Sequence, residues 1–568
     1  MVAFSSSTRQ SILALALSAT AALAATVQRE ISVTSNDVNP DGFAREATLV
    51  DNQLPGPVIK GNMGDRFEIT VANDLQSDQM YKVLSVHWHG IHMYHTTWSD
   101  GSATVSQCPV IPNNKFTYVW DTSEARGSRQ SGTFWYHSHF SSQYCDGLRG
   151  PLIIRDDAED KKKFNYDIDS EDHIISLGDW FHSYGKDFHP GPFSRPQIPD
   201  SIIINGRGVD PYNPTKAAID ALSVITVQPG KRYRMRVIQM SCYTAFDYSI
   251  DGHALEIIEA DSILMKPYTV DSVTIYAGQR YSHILDTRNK RPDAYWIRAQ
   301  PERLKIKYAI RGATGASATV PYWKNSTNVA VLRYTNSPNQ WPVNASDISV
   351  PATPRILNET AMRPYTDVRA PGNPVVGAAD INITLSTTFN STRDGLFRIN
   401  NSTFTPPRVP MLLQIMSGAR DAADLMPQGT TYVLPRDKVV EVRIKGTSRE
   451  TGGPHPFHLH GHDFYVIKAA GSNVTNFVNP MQRDTISSGL ENDEAIIRFK
   501  TDNPGPWFLH CHLDWHLDMG MGVVFAEDTK RTKAQNPVSQ EWNELCDKYN
   551  NYVESGGENR EMDEEGQI

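Results

Sequence analysis

The chain has 568 residues, a formal net charge of -9, 18 His and only 5 Cys. At roughly 100–200 residues per domain this length implies about three domains, and an apolar content of 39% is ample for large cores. The acidic balance, with no basic stripe and no aromatic-basic repeat, excludes nucleic acid as the expected partner.

In chain order, the first feature is a secretory signal. Arg9 precedes the run of small apolar residues Ser11–Ala25, and Ala22-Leu23-Ala24 fits a small-x-small cleavage site. The signal is expected at 1–24. The run is short for a membrane span of about 20 residues, and no later stretch is apolar enough to cross a bilayer, so no membrane anchor is expected.

Short runs rich in Val, Ile, Thr and Tyr then recur between Gly, Pro, Asn and Asp: Arg66–Val71, Lys115–Trp120, Tyr233–Ile238 and Val439–Ile444. This spacing predicts an all-β fold of antiparallel sandwiches or barrels, without long amphipathic helices. Three stretches share one style, a turn-rich opening into a strand: Pro55–Asp74, Gln228–Met240 and Leu434–Gly446. Three copies of one β-domain follow from that repeat, with expected spans 25–157, 158–335 and 380–550. Residues 336–379, rich in Pro, Asn and Ala, read as a connecting segment, and 551–568 as an acidic, disordered tail. Asn-x-Ser/Thr sequons at Asn325, Asn344, Asn358, Asn382, Asn390, Asn400, Asn401 and Asn473 predict a largely surface stretch bearing N-glycans.

The chemistry lies in four histidine-rich segments. Val86-His87-Trp88-His89-Gly90 comes first and Trp135-Tyr136-His137-Ser138-His139 second. His455-Pro456-Phe457-His458-Leu459-His460 and His510-Cys511-His512-Leu513-Asp514-Trp515-His516 lie near the C-terminus. Residues i and i+2 of a strand face one side, so each His-x-His pair can aim two imidazoles at one point. In the last segment alternation puts His510 and His512 on one face and Cys511 on the other. One strand therefore serves two sites: a His₂Cys site of the blue-copper kind around Cys511, and an all-imidazole site of eight histidines. Eight are too many for one ion, and three coppers divide them naturally. A lone His is usually a satisfied polar residue, but four such pairs, one flanking a Cys, point to metal. Zinc is disfavoured, because no Cys-x-x-Cys is present. His92, His95, His173, His182, His189, His253, His283 and His462 lack partners in sequence and read as surface residues or outer supports.

These four segments resemble the copper signatures of the multicopper oxidases. "GTFWYHSHFSSQYCDGLRGPLII" and "PGPWFLHCHLDWH" are close to the fungal laccase versions, and the resemblance covers nearly the whole mature chain. It implies three cupredoxin-like Greek-key β-sandwich domains and four copper ions. A mononuclear type 1 site would lie in the third domain and a trinuclear cluster between the first and third. By position, the type 1 ligands would be His455, Cys511 and His516, with Met521 axial, where many fungal laccases carry Leu or Phe. A weak Met ligand would give a relatively low potential. Type 2 would take His87 and His458. The type 3 pair would take His89, His137 and His512 on one ion, and His139, His460 and His510 on the other.

The resemblance also assigns catalytic roles. Substrate electrons would arrive at the edge of His516. Asp100 and Asp514 match carboxylates that relay protons, and Asp200, in "IPDSIIINGRG", matches an acid that holds and deprotonates phenols. Asp100 and Asp200 also have plainer readings as turn residues. The four remaining cysteines allow three pairings, of which the resemblance favours Cys108–Cys546 and Cys145–Cys242. The expected activity is oxidation of benzenediols, lignin-type or pigment-precursor phenols with O₂ as acceptor, by a secreted monomer. A ferroxidase would need a further acid in the segment before "INGRG" that here reads "RPQIP", and those five residues hold none. Ascorbate oxidase fits "QYCDGLRGP" less well, and a mere electron carrier would not need eight cluster histidines.

Overall fold

The computed structural model describes residues 25–123, 130–188, 191, 198–301, 328–342 and 354–558. The signal at 1–24, the sequons at Asn325 and Asn344, His189, most of "RPQIP" and residues 559–568 lie outside the described residues.

Alternation of apolar and polar side chains is written directly into the strands. Arg66–Asp74 (RFEITVAND) buries every second residue, which is what a sheet with one face on the core requires. It lies parallel to Thr26–Val38 and antiparallel to Asn114–Asp121. The same pairing recurs twice. Arg232–Gln239 lies parallel to Ile174–Trp180 and antiparallel to Arg280–Asp286. Val439–Lys445 lies parallel to Ile381–Leu385 and antiparallel to Glu494–Lys500. The three turn-rich openings therefore lead into equivalent strands of three two-sheet sandwiches, joined by one continuous core that includes Trp88, Trp120, Trp135, Trp507 and Trp515.

In the first sandwich, the strand Val86–His89 pairs with Gly132–Ser138 at the edge of a four-stranded sheet. In the third, Pro456–Leu459 pairs with Gly505–Cys511 inside a five-stranded sheet. All seven residues of Gly505–Cys511 are buried.

The structure departs from the sequence reading at the C-terminus. Gln540–Glu554 is a 15-residue amphipathic helix, with Ser539 accepting the Trp542 N–H as its N-cap. Trp542, Leu545 and Tyr549 are its buried face, a helical spacing that is easily overlooked in a chain dominated by strand periodicity. The chain is helical as far as Glu554, and Glu558 is docked, accepting from Lys82 N at 2.6 Å and from Lys186 Nζ at 2.7 Å. Cys546 on this helix is bonded to Cys108, and Cys145 to Cys242, so the chain's end is tied to the first sandwich and the first sandwich to the second. No helix among the described residues is long and apolar enough to cross a membrane.

Candidate metal centre

Strand register assembles the histidines. His87 sits opposite His137 across the first pair of strands, and His458 opposite His510 across the second. The two pairs face each other between the first and third sandwiches. His87 Nε2 lies 3.4 Å from His458 Nε2, His139 Nε2 3.4 Å from His510 Nε2, and His89 Nδ1 3.1 Å from His512 Nε2. His460 Nε2 lies 3.1 Å from His510 Nε2. All eight imidazoles are buried. A cavity of about 50 Å³, lined by His139, Ser141, Phe508 and Asp518, touches the cluster.

The second nitrogen of most of these rings is hydrogen-bonded outward. His87 Nδ1 donates to the Asp100 carbonyl at 2.7 Å, His458 Nδ1 to the Asp484 carbonyl at 2.9 Å, and His510 Nδ1 to the Cys511 carbonyl at 3.0 Å. His460 Nδ1 donates to Asp100 Oδ2 at 3.0 Å. A carbonyl only accepts, so Nδ1 carries the hydrogen and Nε2 is a bare lone pair. Burial, and then the neighbouring imidazoles, keep His137, His139, His460 and His512 well below the ordinary histidine pKa, and His510 falls to about 3. The His460 and His510 rings, neutral with bare Nε2 lone pairs 3.1 Å apart, repel one another. His137 Nε2 adds a buried nitrogen with no hydrogen-bond partner. A cation shared between them removes both penalties, and nitrogen donors of this kind suit copper.

The other face of Gly505–Cys511 serves a separate site. Cys511 Sγ lies 3.7 Å from His455 Nδ1 and 3.7 Å from His516 Nδ1, and the two nitrogens are 3.0 Å apart. A thiol with two imidazoles is the donor set of blue copper. Met521 is fully buried beside it. Its carbonyl accepts from Cys511 N at 3.1 Å and its amide donates to the His516 carbonyl at 2.9 Å. Phe397, from the hairpin Thr387–Asn390/Leu396–Ile399, packs 4.9 Å from the His516 ring, and Tyr243 packs 6.0 Å away.

The carboxylates divide by position. Asp100 is fully buried, contacts both His87 and His460, and accepts from Ser102. Asp514 opens the helix Asp514–Asp518 that carries His516; its amide donates to the Cys242 carbonyl at 2.9 Å. Asp200 lies in the second sandwich: its amide donates to the Trp180 carbonyl at 2.9 Å, and Phe181 of the same stretch packs on Trp515, beside His516.

Two features of this centre are absent from the sequence motifs. Asp484 accepts from His89 Nε2 at 3.2 Å, and both its carboxylate oxygens meet Arg280 of the second sandwich, at 2.8 and 2.7 Å. Gly278, two residues earlier, has a φ of +87°, and a Cβ there would come within 2.9 Å of both His89 and His512. The middle sandwich thus supplies no imidazole to the cluster but buttresses it. Four of the remaining histidines are core residues, not surface ones. His283 and His253 bond Tyr248 and Tyr334 hydroxyls at 3.0 and 2.9 Å, His462 bonds Glu527 at 2.9 Å, and His173 packs on Tyr233.

Three multicopper oxidase family profiles match residues 32–159, 171–337 and 404–531. The chain belongs to the multicopper oxidase family. Its three sandwiches are cupredoxin-like domains. Laccase-5 of Trametes versicolor is 44% identical over 526 residues, covering 92% of this chain and 93% of that protein. The laccase of Phlebia radiata is 45% identical over 516 residues, covering 90% and 92%. Among solved structures, the laccase of Botrytis aclada superposes with a TM-score of 0.77 at 28% identity, covering 96% of this chain and 95% of that one.

Proposed function

We propose that this multicopper oxidase is a secreted laccase that oxidises small phenols, one electron at a time, and reduces O₂ to two waters. Four copper ions are its cofactors. His455, Cys511, His516 and Met521 would hold type 1. His87 and His458 would hold type 2. His89, His137 and His512 would hold one type 3 ion, and His139, His460 and His510 the other. Bound copper supplies the redox chemistry, taking single electrons at one site and giving four to dioxygen at the other. The observation that carries the reading is the shared strand: Cys511 lies between His510 and His512, and the His510 ring donates to the Cys511 carbonyl at 3.0 Å. The electron-accepting and oxygen-reducing sites are thereby joined by one short covalent path.

The chain's own groups do the rest. Asp100 and Asp514 would deliver protons toward dioxygen, Asp100 from hydrogen-bond distance of His460. Asp200 would take the phenolic proton as the electron leaves through His516. Its Oδ1 carries no hydrogen bond among the described residues, which leaves an acceptor for a phenol hydroxyl. The segment Ser11–Ala25 and two disulfides support secretion. The exposed sequon residues Asn358, Asn382, Asn400, Asn401 and Asn473 support glycosylation.

Gly452 packs against the edge of His516. A Cβ there would lie 2.9 Å from His516 Cε1 and 3.1 Å from Nε2, on backbone with φ +83°. Gly452→Ala is expected to lower kcat/KM for phenols by about 10-fold with copper content retained; an unchanged value rules out that edge as the electron acceptor. The reading as a whole is tested by oxygen uptake with a methoxyphenol, Fe²⁺ and ascorbate in steady state. The phenol is expected to dominate, and dominant Fe²⁺ turnover overturns the laccase assignment. Asp200→Ala is expected to depress phenol oxidation more than that of a non-phenolic dye, and equal losses remove Asp200 from substrate binding.

A further inference from the structure

Asp41 and His182 belong to no copper motif, yet they meet across 141 positions of sequence. Asp41 follows the strand Thr26–Val38 of the first domain and is fully buried. Its Oδ2 accepts from His182 Nε2 at 2.9 Å and from Ser201 Oγ at 2.5 Å, while its Oδ1 accepts from Phe43 N at 3.0 Å. The Phe43 ring stacks on the His182 ring at 3.9 Å and 11°.

Both partners of Asp41 Oδ2 flank Asp200. Ser201 is its neighbour in the chain. The backbone N–H of His182 donates to Asp200 Oδ2 at 2.7 Å. One buried carboxylate in the first domain thus grips Asp200 from two sides in the second, and Asp200 Oδ1 carries no hydrogen bond among the described residues. Burial pushes the His182 pKa down, but the Asp41 hydrogen bond and the charges of Asp41, Asp200 and Asp210 raise it above the ordinary value.

We propose that Asp41 and His182 are positioning residues for phenol oxidation, fixing the carboxylate of Asp200 where it meets the phenolic hydroxyl. This rests on the reading of Asp200 given above. A side chain held by a backbone N–H on an anchored loop is pre-organised, and a displacement on the order of 1 Å in such a group can cost up to about 100-fold in rate.

The test uses the copper-loaded enzyme with a dimethoxyphenol and with ferrocyanide, a donor that has no proton to give. His182→Phe keeps a flat ring against Phe43 and loses the bond to Asp41; Asp41→Asn keeps the volume and loses the charge. Either variant, whichever folds with its copper, is expected to lower kcat/KM for the phenol about 10-fold and to leave ferrocyanide within about twofold. On an Asp200→Ala background the same substitution should add less than about twofold, as coupled residues do. Equal losses on both donors, or a full additional loss on that background, overturn the proposal. If Asp200→Ala discriminates between donors and His182→Phe and Asp41→Asn do not, the positioning role alone falls. If Asp200→Ala does not discriminate, the reading of Asp200 falls with it.

Discussion

Cys511→Ser is expected to abolish the blue colour and to reduce phenol oxidation by more than the roughly 10–100-fold that loss of an outer hydrogen-bonding partner costs a metal site. Serine matches cysteine in shape closely enough to keep the fully buried position packed, but its hard, protonated oxygen replaces the soft sulfur that copper prefers. The two imidazole nitrogens 3.0 Å apart, each 3.7 Å from Sγ, then lack their charged third partner. The eight cluster imidazoles lie on the other face of the strand and should keep their three ions. Copper analysis of the variant should therefore lose about one ion in four while visible absorption at the type 1 site disappears. A blue or fully active Cys511→Ser enzyme would remove Cys511 from the electron path.

The reach of sequence reasoning follows the distances over which these contacts act. The histidine pairs were legible because strand alternation is local: His510, Cys511 and His512 declare two faces within three residues. The threefold repeat was legible for the same reason, since each strand opening carries its own Pro and short turn. The helix Gln540–Glu554 is masked in the sequence because its apolar positions repeat at three and four in a chain dominated by a period of two. The contribution of the middle domain was not legible at all. Arg280 and Asp484 are 204 positions apart, and Asp484 and His89 are 395 apart. Nothing near Asp484 in the chain marks it as a support. Gly452 and Gly278 carry information only through what a side chain there would strike.

Asp484 is where that hidden layer should yield the second large effect. Its carboxylate orients His89, its carbonyl orients His458, and Arg280 holds it in place, so two rings of the imidazole cluster depend on one residue. Asp484→Ala removes the charged acceptor for His89 Nε2–H and leaves that ring only the longer contact to Thr485 Oγ1 at 3.4 Å. It also strips Arg280, which is fully buried, of its nearest charge partner and leaves Asp261 at 3.7 Å as the remaining one. Breaking a buried ion pair from one side costs about 3–5 kcal/mol, and losing a hydrogen-bonding support of a metal ligand costs about 10–100-fold in affinity or activity. The expected result is a less stable enzyme whose cluster copper is depleted and whose oxygen uptake falls in that range, with the type 1 colour retained. Asp484→Asn separates the two causes. It keeps an oxygen for His89 and the same backbone carbonyl for His458, so copper content should return toward the parent value. The neutral amide cannot balance Arg280, so the loss of thermal stability should persist. If Asp484→Ala holds its full copper and turns over at the parent rate, the second domain is a spacer and not a support for the oxygen-reducing site.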